Sequence, residues 1–200
     1  MVNRAALDRH RGRRPSRDRQ GAGRSFPFLN ERGAVNLAAP FATVRGAASD
    51  PPRAVYDRFV AVDLPTLVAG YGPLPGAAAV KDETGTWGTV GACRTVTFTD
   101  GATATERVLS ADPPTADGES SAAGRFVYRV TDYTNALRWF AHGSDGDWRF
   151  EPDGRGGTRI VWAYTFRPRG LPSAIVLWPV VRGPVRGYMK SVMRCFIADP

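Results

Sequence analysis

A chain of 200 residues, 42% hydrophobic and 23% charged, is long enough to bury one sizeable core and has the make-up of an ordinary globular domain. Its net charge of +8 looks like a nucleic-acid signal until it is located. Arg4, Arg9, Arg11, Arg13, Arg14, Arg17, Arg19 and Arg24 face only Asp8 and Asp18 in the first 24 residues, so six of the eight net charges sit there.

The rest of the chain is nearly neutral, and no nucleic-acid partner is expected for a folded domain. Two cysteines, Cys93 and Cys195, and two histidines, His10 and His142, are too few for a disulfide framework or a metal cage. The expectation is therefore no metal, no cofactor and reduced cysteines in the core, with a single Cys93–Cys195 bridge as the alternative. No apolar run approaches the roughly 20 residues of a bilayer span. The first residues lack the apolar stretch of a secretory signal, which predicts a cytoplasmic protein.

Residues 1–30 are rich in arginine, poor in apolar residues and aperiodic, which predicts a disordered tail. The other reading is an arm that touches phosphates or an anionic membrane. A single folded domain is expected over 34–200. Phe41, Thr43 and Arg45 alternate with Ala42, Val44 and Gly46, the pattern of a first strand. Ser49-Asp50-Pro51-Pro52 predicts a helix start with Ser49 or Asp50 as the cap. Asp63-Leu64-Pro65 ends that helix, and another short turn is expected over Leu64–Tyr71.

From Ala77 the period changes to two. Gly91–Thr99, Asp100-Gly101 and Ala102–Ser110 form a hairpin signal. Asp112-Pro113-Pro114 opens a loop, and Arg125–Tyr133 reads as a strand. Ala141–Asp147 reads as a polar, turn-like stretch containing a solvated His142. Thr158–Arg167 is the clearest strand, with Ile160, Trp162, Tyr164 and Phe166 on one face. At the end, Val185, Met189, Val192, Met193, Phe196 and Ile197 make one helical face, with Arg186, Lys190 and Arg194 opposite. The denser run Ala174–Val181 needs a partner surface. Pro179, Gly183 and Pro184 predict a break between these two halves.

The element order and a set of local patterns resemble a known family. They are Ser49-Asp-Pro-Pro-Arg-Ala-Val-Tyr, Trp87 with Gly91-Ala-Cys-Arg94, Asp100-Gly101 with Glu106, Asp112-Pro113-Pro114 with Tyr128-Arg-Val, and Gly157-Thr-Arg-Ile-Val-Trp162-Ala-Tyr. Together they look like the START-like, Bet v 1-like (SRPBCC) helix-grip superfamily, in its polyketide cyclase/dehydrase-like branch. The resemblance implies an α+β fold: a curved antiparallel sheet of about seven strands around a C-terminal α-helix, with two short helices after the first strand. It also implies a cavity between sheet and helix for a small apolar or amphipathic ligand such as a lipid, sterol or polyketide.

Arg94 and Glu106 are the ionisable pair that matters most. A three-residue loop at Asp100-Gly101 sets them opposite one another on one face; a two-residue loop pairs Arg94 with Arg107 instead. Inside a cavity they could orient a ligand carbonyl or move a proton. On a wet face they would be a cross-strand ion pair of under roughly 1 kcal/mol. Trp87, Tyr128, Trp148, Trp162 and Tyr164 add aromatic area with polar handles, and Met189 faces them from the last helix. These eight residues are the expected ligand site, with Arg94 and Glu106 the catalytic candidates if there is turnover. Gly70–Gly76 mimics a nucleotide loop, but its prolines lack the amide donors a phosphate needs. Ligand binding is the leading expectation. A cofactor-independent polyketide cyclase and a non-catalytic module with a filled cavity are the alternatives.

Overall fold

The computed structural model describes residues 39–115 and 123–198. The expectations for residues 1–30, and for the loop beyond Thr115, lie outside these. The described residues belong to one compact unit. Strand β1 (Phe41–Ala48) leads to α1 (Pro52–Ala61) and the one-turn α2 (Leu64–Leu67). Six strands follow: β2 (Ala77–Thr84), β3 (Cys93–Phe98), β4 (Thr103–Asp112), β5 (Gly124–Thr131), β6 (Ala141–Pro152) and β7 (Thr158–Pro168). A helical run closes the chain, with α3 (Leu171–Val180), a π-helical turn over Val181–Val185, and α4 (Arg186–Ala198).

All seven strands form one antiparallel sheet in the order β1-β7-β6-β5-β4-β3-β2. Hence β2 to β7 are a meander, and β1 returns to pair with the last of them. This is the expected α+β helix-grip fold. Registers shift between Val108 and Ser110 on β4, and between Lys81 and Thr84 on β2. Such irregularities bend and twist a sheet.

Alternation decides which face is dry. On β7, Thr158, Ile160, Trp162 and Phe166 are buried while Arg159 and Arg167 are exposed. Partners across the sheet continue the pattern, so Phe126, Trp148, Trp162 and Val44 form one row of dry-face side chains on β5, β6, β7 and β1. Met189, Val192, Met193 and Phe196 of α4 are buried against this face. Gly46 allows the close approach: a Cβ there would lie 2.4 Å from Ile197 Cδ1 and 2.8 Å from Met193 Sδ. The wet face carries ion pairs. Arg125 grips Asp147 through both guanidinium and carboxylate edges (3.1 and 2.9 Å), Arg149 adds a third contact at 3.2 Å, and Arg129 pairs with Asp145 at 2.7 Å.

Four expectations need correction. Neither Ser49 nor Asp50 caps α1; Pro51 holds that position with no side-chain bond. The Asp50 carboxylate instead meets Arg58 at 3.1 Å, and its carbonyl accepts from Thr158 Oγ1 at 2.6 Å. Ala141–Asp147 is the start of β6 rather than a turn, so His142 is exposed on a strand. Its Gly, Ser and Asp residues disfavour strands locally, but ladders to β5 on one side and β7 on the other override them. The C-terminal helix does not break at Gly183-Pro184. It widens into the π-helical turn, which takes up the bond that Pro184, having no N–H, cannot donate. Both cysteines are unpaired, but Cys93 is only half-buried and Cys195 is exposed, so they are not core residues.

Gly46 tests the seating of α4. Gly46→Phe, too bulky for the flexible ends of Ile197 and Met193 to clear, should cost about 1–3 kcal/mol in denaturant titration. An unchanged midpoint would mean that α4 does not lie against β1 at this point.

Candidate functional site

The hairpin settles the partner of Arg94. Thr99, Asp100 and Gly101 make a three-residue loop, with Phe98 N–H donating to the Ala102 carbonyl at 2.8 Å and Gly101 at φ +79°. Arg94 on β3 therefore stands opposite Glu106 on β4. Both face the dry side, each less than a tenth exposed as a whole residue. Arg94 Nε and Nη2 each donate to Glu106 Oε2 at 2.8 Å. The guanidinium carbon also lies 3.6 Å from the centroid of the Trp87 ring, a cation–π contact in a shielded setting. Glu106 Oε1 has no hydrogen-bond partner among the described residues.

Arg94 and Glu106 line a cavity of about 50 Å³ between the sheet and the helices. Trp87, Tyr128, Trp148 and Trp162 line it too, so six of the eight expected site residues converge here. The helical side of the wall is Phe59 and Val62 from α1 and its end, Leu64, Leu67 and Val68 around α2, and Val192 of α4. Those six escaped the sequence reading. The only signal was the apolar spacing of the two short helices, which marks core and lining alike. A larger hollow of about 510 Å³ lies around Ala69–Gly76, Thr99 and Asp100. It is an open surface bowl, away from the ion pair.

Tyr164 and Met189 lie elsewhere. Met189 is buried in the core packing, 1% exposed. Tyr164 belongs to a hydrogen-bonded trio in which the Ser144 hydroxyl lies 2.5 Å from the Tyr133 hydroxyl and 2.6 Å from that of Tyr164. Ser144 and Tyr133 carry no sequence motif; only the strand register brings them together.

Gly146 positions the phenol of Tyr128. These two residues are direct partners on β5 and β6, and a Cβ on Gly146 would fall 2.4 Å from the Tyr128 ring. The missing side chain lets the ring lie flat across the neighbouring strand. Burial pushes the Tyr128 phenol well above its usual pKa; the Glu106 carboxylate adds to this, while the Trp148 N–H and Arg94 pull modestly back. Tyr188 of α4 is raised by burial and then by Glu106. Both phenols stay protonated at neutral pH, and that of Tyr128 lies in the cavity wall.

Two more donors are unmatched. Trp148 and Trp162, cross-strand partners, stack with centroids 4.5 Å apart and planes 19° apart. The indole N–H of each is buried with no partner in hydrogen-bond geometry; the Tyr128 hydroxyl is near that of Trp148 without completing a bond. A buried donor left in this state costs about 1–3 kcal/mol.

No family model matches this chain, and no curated protein does. Solved structures do match in fold. A hypothetical protein from Helicobacter pylori has a TM-score of 0.62 at 10% identity, covering 89% of this chain and 98% of that one. Norcoclaurine synthase from Thalictrum flavum, in complex with dopamine and hydroxybenzaldehyde, has a TM-score of 0.51 at 13% identity over 88% and 99%. A major latex-like protein from Panax ginseng has a TM-score of 0.52 at 13% identity over 80% and 97%. The neighbours are Bet v 1-like proteins, and this chain has their helix-grip fold.

The buried phenols predict an alkaline limit. Tyr56, Tyr128, Tyr133, Tyr164 and Tyr188 are all raised above 10.0, burial being the first cause in each, and Tyr133 is pushed up to about 12. Folding thus favours the neutral phenols, a contribution complete below pH 10 and lost as pH climbs through the folded-state values. Stability should be insensitive to these groups up to about pH 10 and fall above it, with tyrosinate absorbance rising together with unfolding. Smooth ionisation of these tyrosines in the folded protein would place them in solvent.

Proposed function

We propose that this protein binds a small amphipathic molecule carrying an aromatic or alicyclic body and a carbonyl or hydroxyl group, in an enlarged form of the cavity around Arg94 and Glu106. The observation that carries this reading is the convergence of unmatched polar groups on one small space. Two indole N–H groups are buried without a hydrogen-bond partner, and the residues bearing them, Trp148 and Trp162, line the cavity beside Tyr128, Arg94 and Glu106. Each buried orphan opposes folding until something completes it. The side chains of Phe59, Leu64, Leu67, Val68 and Val192 fit an apolar body; the indole donors fit an oxygen.

Size sets the main condition. About 50 Å³ is room for one or two waters, whereas an engineered cavity of about 150 Å³ takes benzene. A ligand therefore enters only if the wall moves. The part of the wall that would move is the loop that carries Trp87, which lies between β2 and β3. Trp87 is only half-buried, held by Arg94 on one face and by Phe126 at 5.7 Å. The second reading, an enzyme such as a polyketide cyclase, rests on the nearness of the free Glu106 oxygen to a protonated phenol, the minimum equipment for moving a proton. The third, a module whose aromatic side chains fill the cavity for good, is what the ligand test must separate.

Native mass spectrometry of the purified protein, followed by melting curves with single-ring carbonyl compounds, phenols, fatty acids, sterols and aromatic polyketides, provides that test. A true ligand at a hundredfold excess over its Kd adds about 2.7 kcal/mol of stability. Trp87→Ala should widen the entrance and speed association of benzene-sized members of the panel. Absence of any bound mass or melting shift, for wild type and Trp87→Ala alike, would leave the filled module as the answer.

The ion pair gives a separate expectation. Arg94→Ala or Glu106→Ala alone leaves a buried charge without its partner and should cost about 3–5 kcal/mol. Replacing the pair together, Arg94→Met with Glu106→Leu, should largely restore stability while weakening ligand binding. If the double variant binds as wild type does, the pair has no part in recognition.

A further inference from the structure

We infer that the exposed face of α3 docks on the surface of an anionic lipid membrane, lying in the interface without crossing it. The apolar run that α3 belongs to needs a covering surface, and the sheet supplies only half of one. Ala174 and Leu177 are buried, but Leu171 is 68% exposed, Ile175 65% and Val176 47%. With Pro172 and Pro179, also exposed, these fall at the i, i+1, i+4, i+5, i+8 spacing of one helical stripe. Phe41, 53% exposed, extends the patch from β1 and meets Trp178 edge-on at 5.8 Å. Contiguous apolar surface of this kind on a folded domain marks an interaction site.

Charge identifies the occupant. Between Thr158 and Ala198 there is no aspartate or glutamate at all, while seven cations occur there. Arg167 and Arg169 sit just before α3, and Arg182 and Arg186 just after it; all four are exposed and none pairs with a carboxylate among the described residues. Arg182 lies over the Trp178 ring at 4.7 Å, joining the cationic rim to the apolar face. An apolar stripe rimmed by arginine and free of acids matches acyl chains beneath anionic headgroups. A second copy of the chain would bring the same arginines against themselves, and the leading segment, itself carrying eight arginines, would be repelled likewise. No helix here is long and apolar enough to cross a bilayer, so α3 can only lie on one. This inference rests on α3 and its flanks alone, and stands or falls independently of the cavity.

The test is co-sedimentation of the full-length protein with vesicles of phosphatidylcholine alone or mixed with phosphatidylglycerol, at low and high salt. The expected result is binding to the mixed vesicles, weakened by salt and lost with Ile175→Glu plus Val176→Glu, two exposed positions whose change leaves the core untouched. Arg182→Gln with Arg186→Gln should lower binding by more than about tenfold while leaving the melting temperature unchanged. The leading segment is intact in every variant. Binding that survives Ile175→Glu plus Val176→Glu would assign the membrane contact to another part of the chain and overturn the inference. So would failure to bind mixed vesicles, or a concentration-dependent dimer dissolved by the same two substitutions.

Discussion

The structure hangs on a row of rings laid across the middle of the sheet. Phe126, Trp148 and Trp162 stand side by side on adjacent strands, and Phe59 of α1 presses on them from above, 4.6 Å from Trp148 and 5.3 Å from Phe126. Phe196 of α4 closes the group at 5.9 Å from Phe59 and 6.0 Å from Trp148. Two helices far apart in the chain are thereby fixed to the same patch of sheet. Both helices also meet the sheet elsewhere, α1 through Tyr56 against Phe150 at 5.4 Å and α4 against Gly46 of β1. The stack also determines the chemistry beside it. Rings locked face to face cannot turn to find partners for their N–H groups.

The same few residues hold the core together and leave polar groups unmatched within it. A domain of this size is stable by about 5–15 kcal/mol, so two orphaned indoles at about 1–3 kcal/mol each are a real sacrifice. The buried Arg94–Glu106 pair adds another, because desolvation offsets much of the attraction between its charges. On the opposite face, Asp147 is nearly inaccessible but carries two arginines whose outer edges remain wet. That arrangement needs no ligand to complete it. The contrast separates a finished polar cluster from an unfinished one.

The sequence made the fold legible because its periodicities are clean where they matter. Ile160 to Phe166 could only be a strand with one dry face, and Met189 to Phe196 only a helix lying on it. The partner of Arg94 was open between two answers, for a one-residue difference in loop length reverses a strand's faces. Where composition and tertiary pairing disagree, the sequence misled. Ala141–Asp147 has the residues of a turn and the neighbours of a central strand, and Gly146 is there to make room for a ring on β5 rather than to bend the chain. The proline-rich stretch after Val180 misled in the same way, as a π-helical turn has no local signature beyond the residues that usually end a helix. Five of the expected site residues at the cavity, Arg94, Glu106, Tyr128, Trp148 and Trp162, share the dry face of the sheet, and the loop before β3 adds Trp87. Tyr164 stands farther along that face, and Met189 packs on it from α4.

The sheet never closes on itself, which leaves β1 and β2 as its two edges. An open edge invites a strand from another molecule, and β2 meets that hazard with the shifted register between Lys81 and Thr84. Asp82 holds a left-handed backbone at φ +53°, and Lys81 and Glu83 on either side are charged and exposed. An incoming strand would find no straight row of amides to pair with. What interrupts the ladder of β2 thus helps keep the protein from assembling edge to edge.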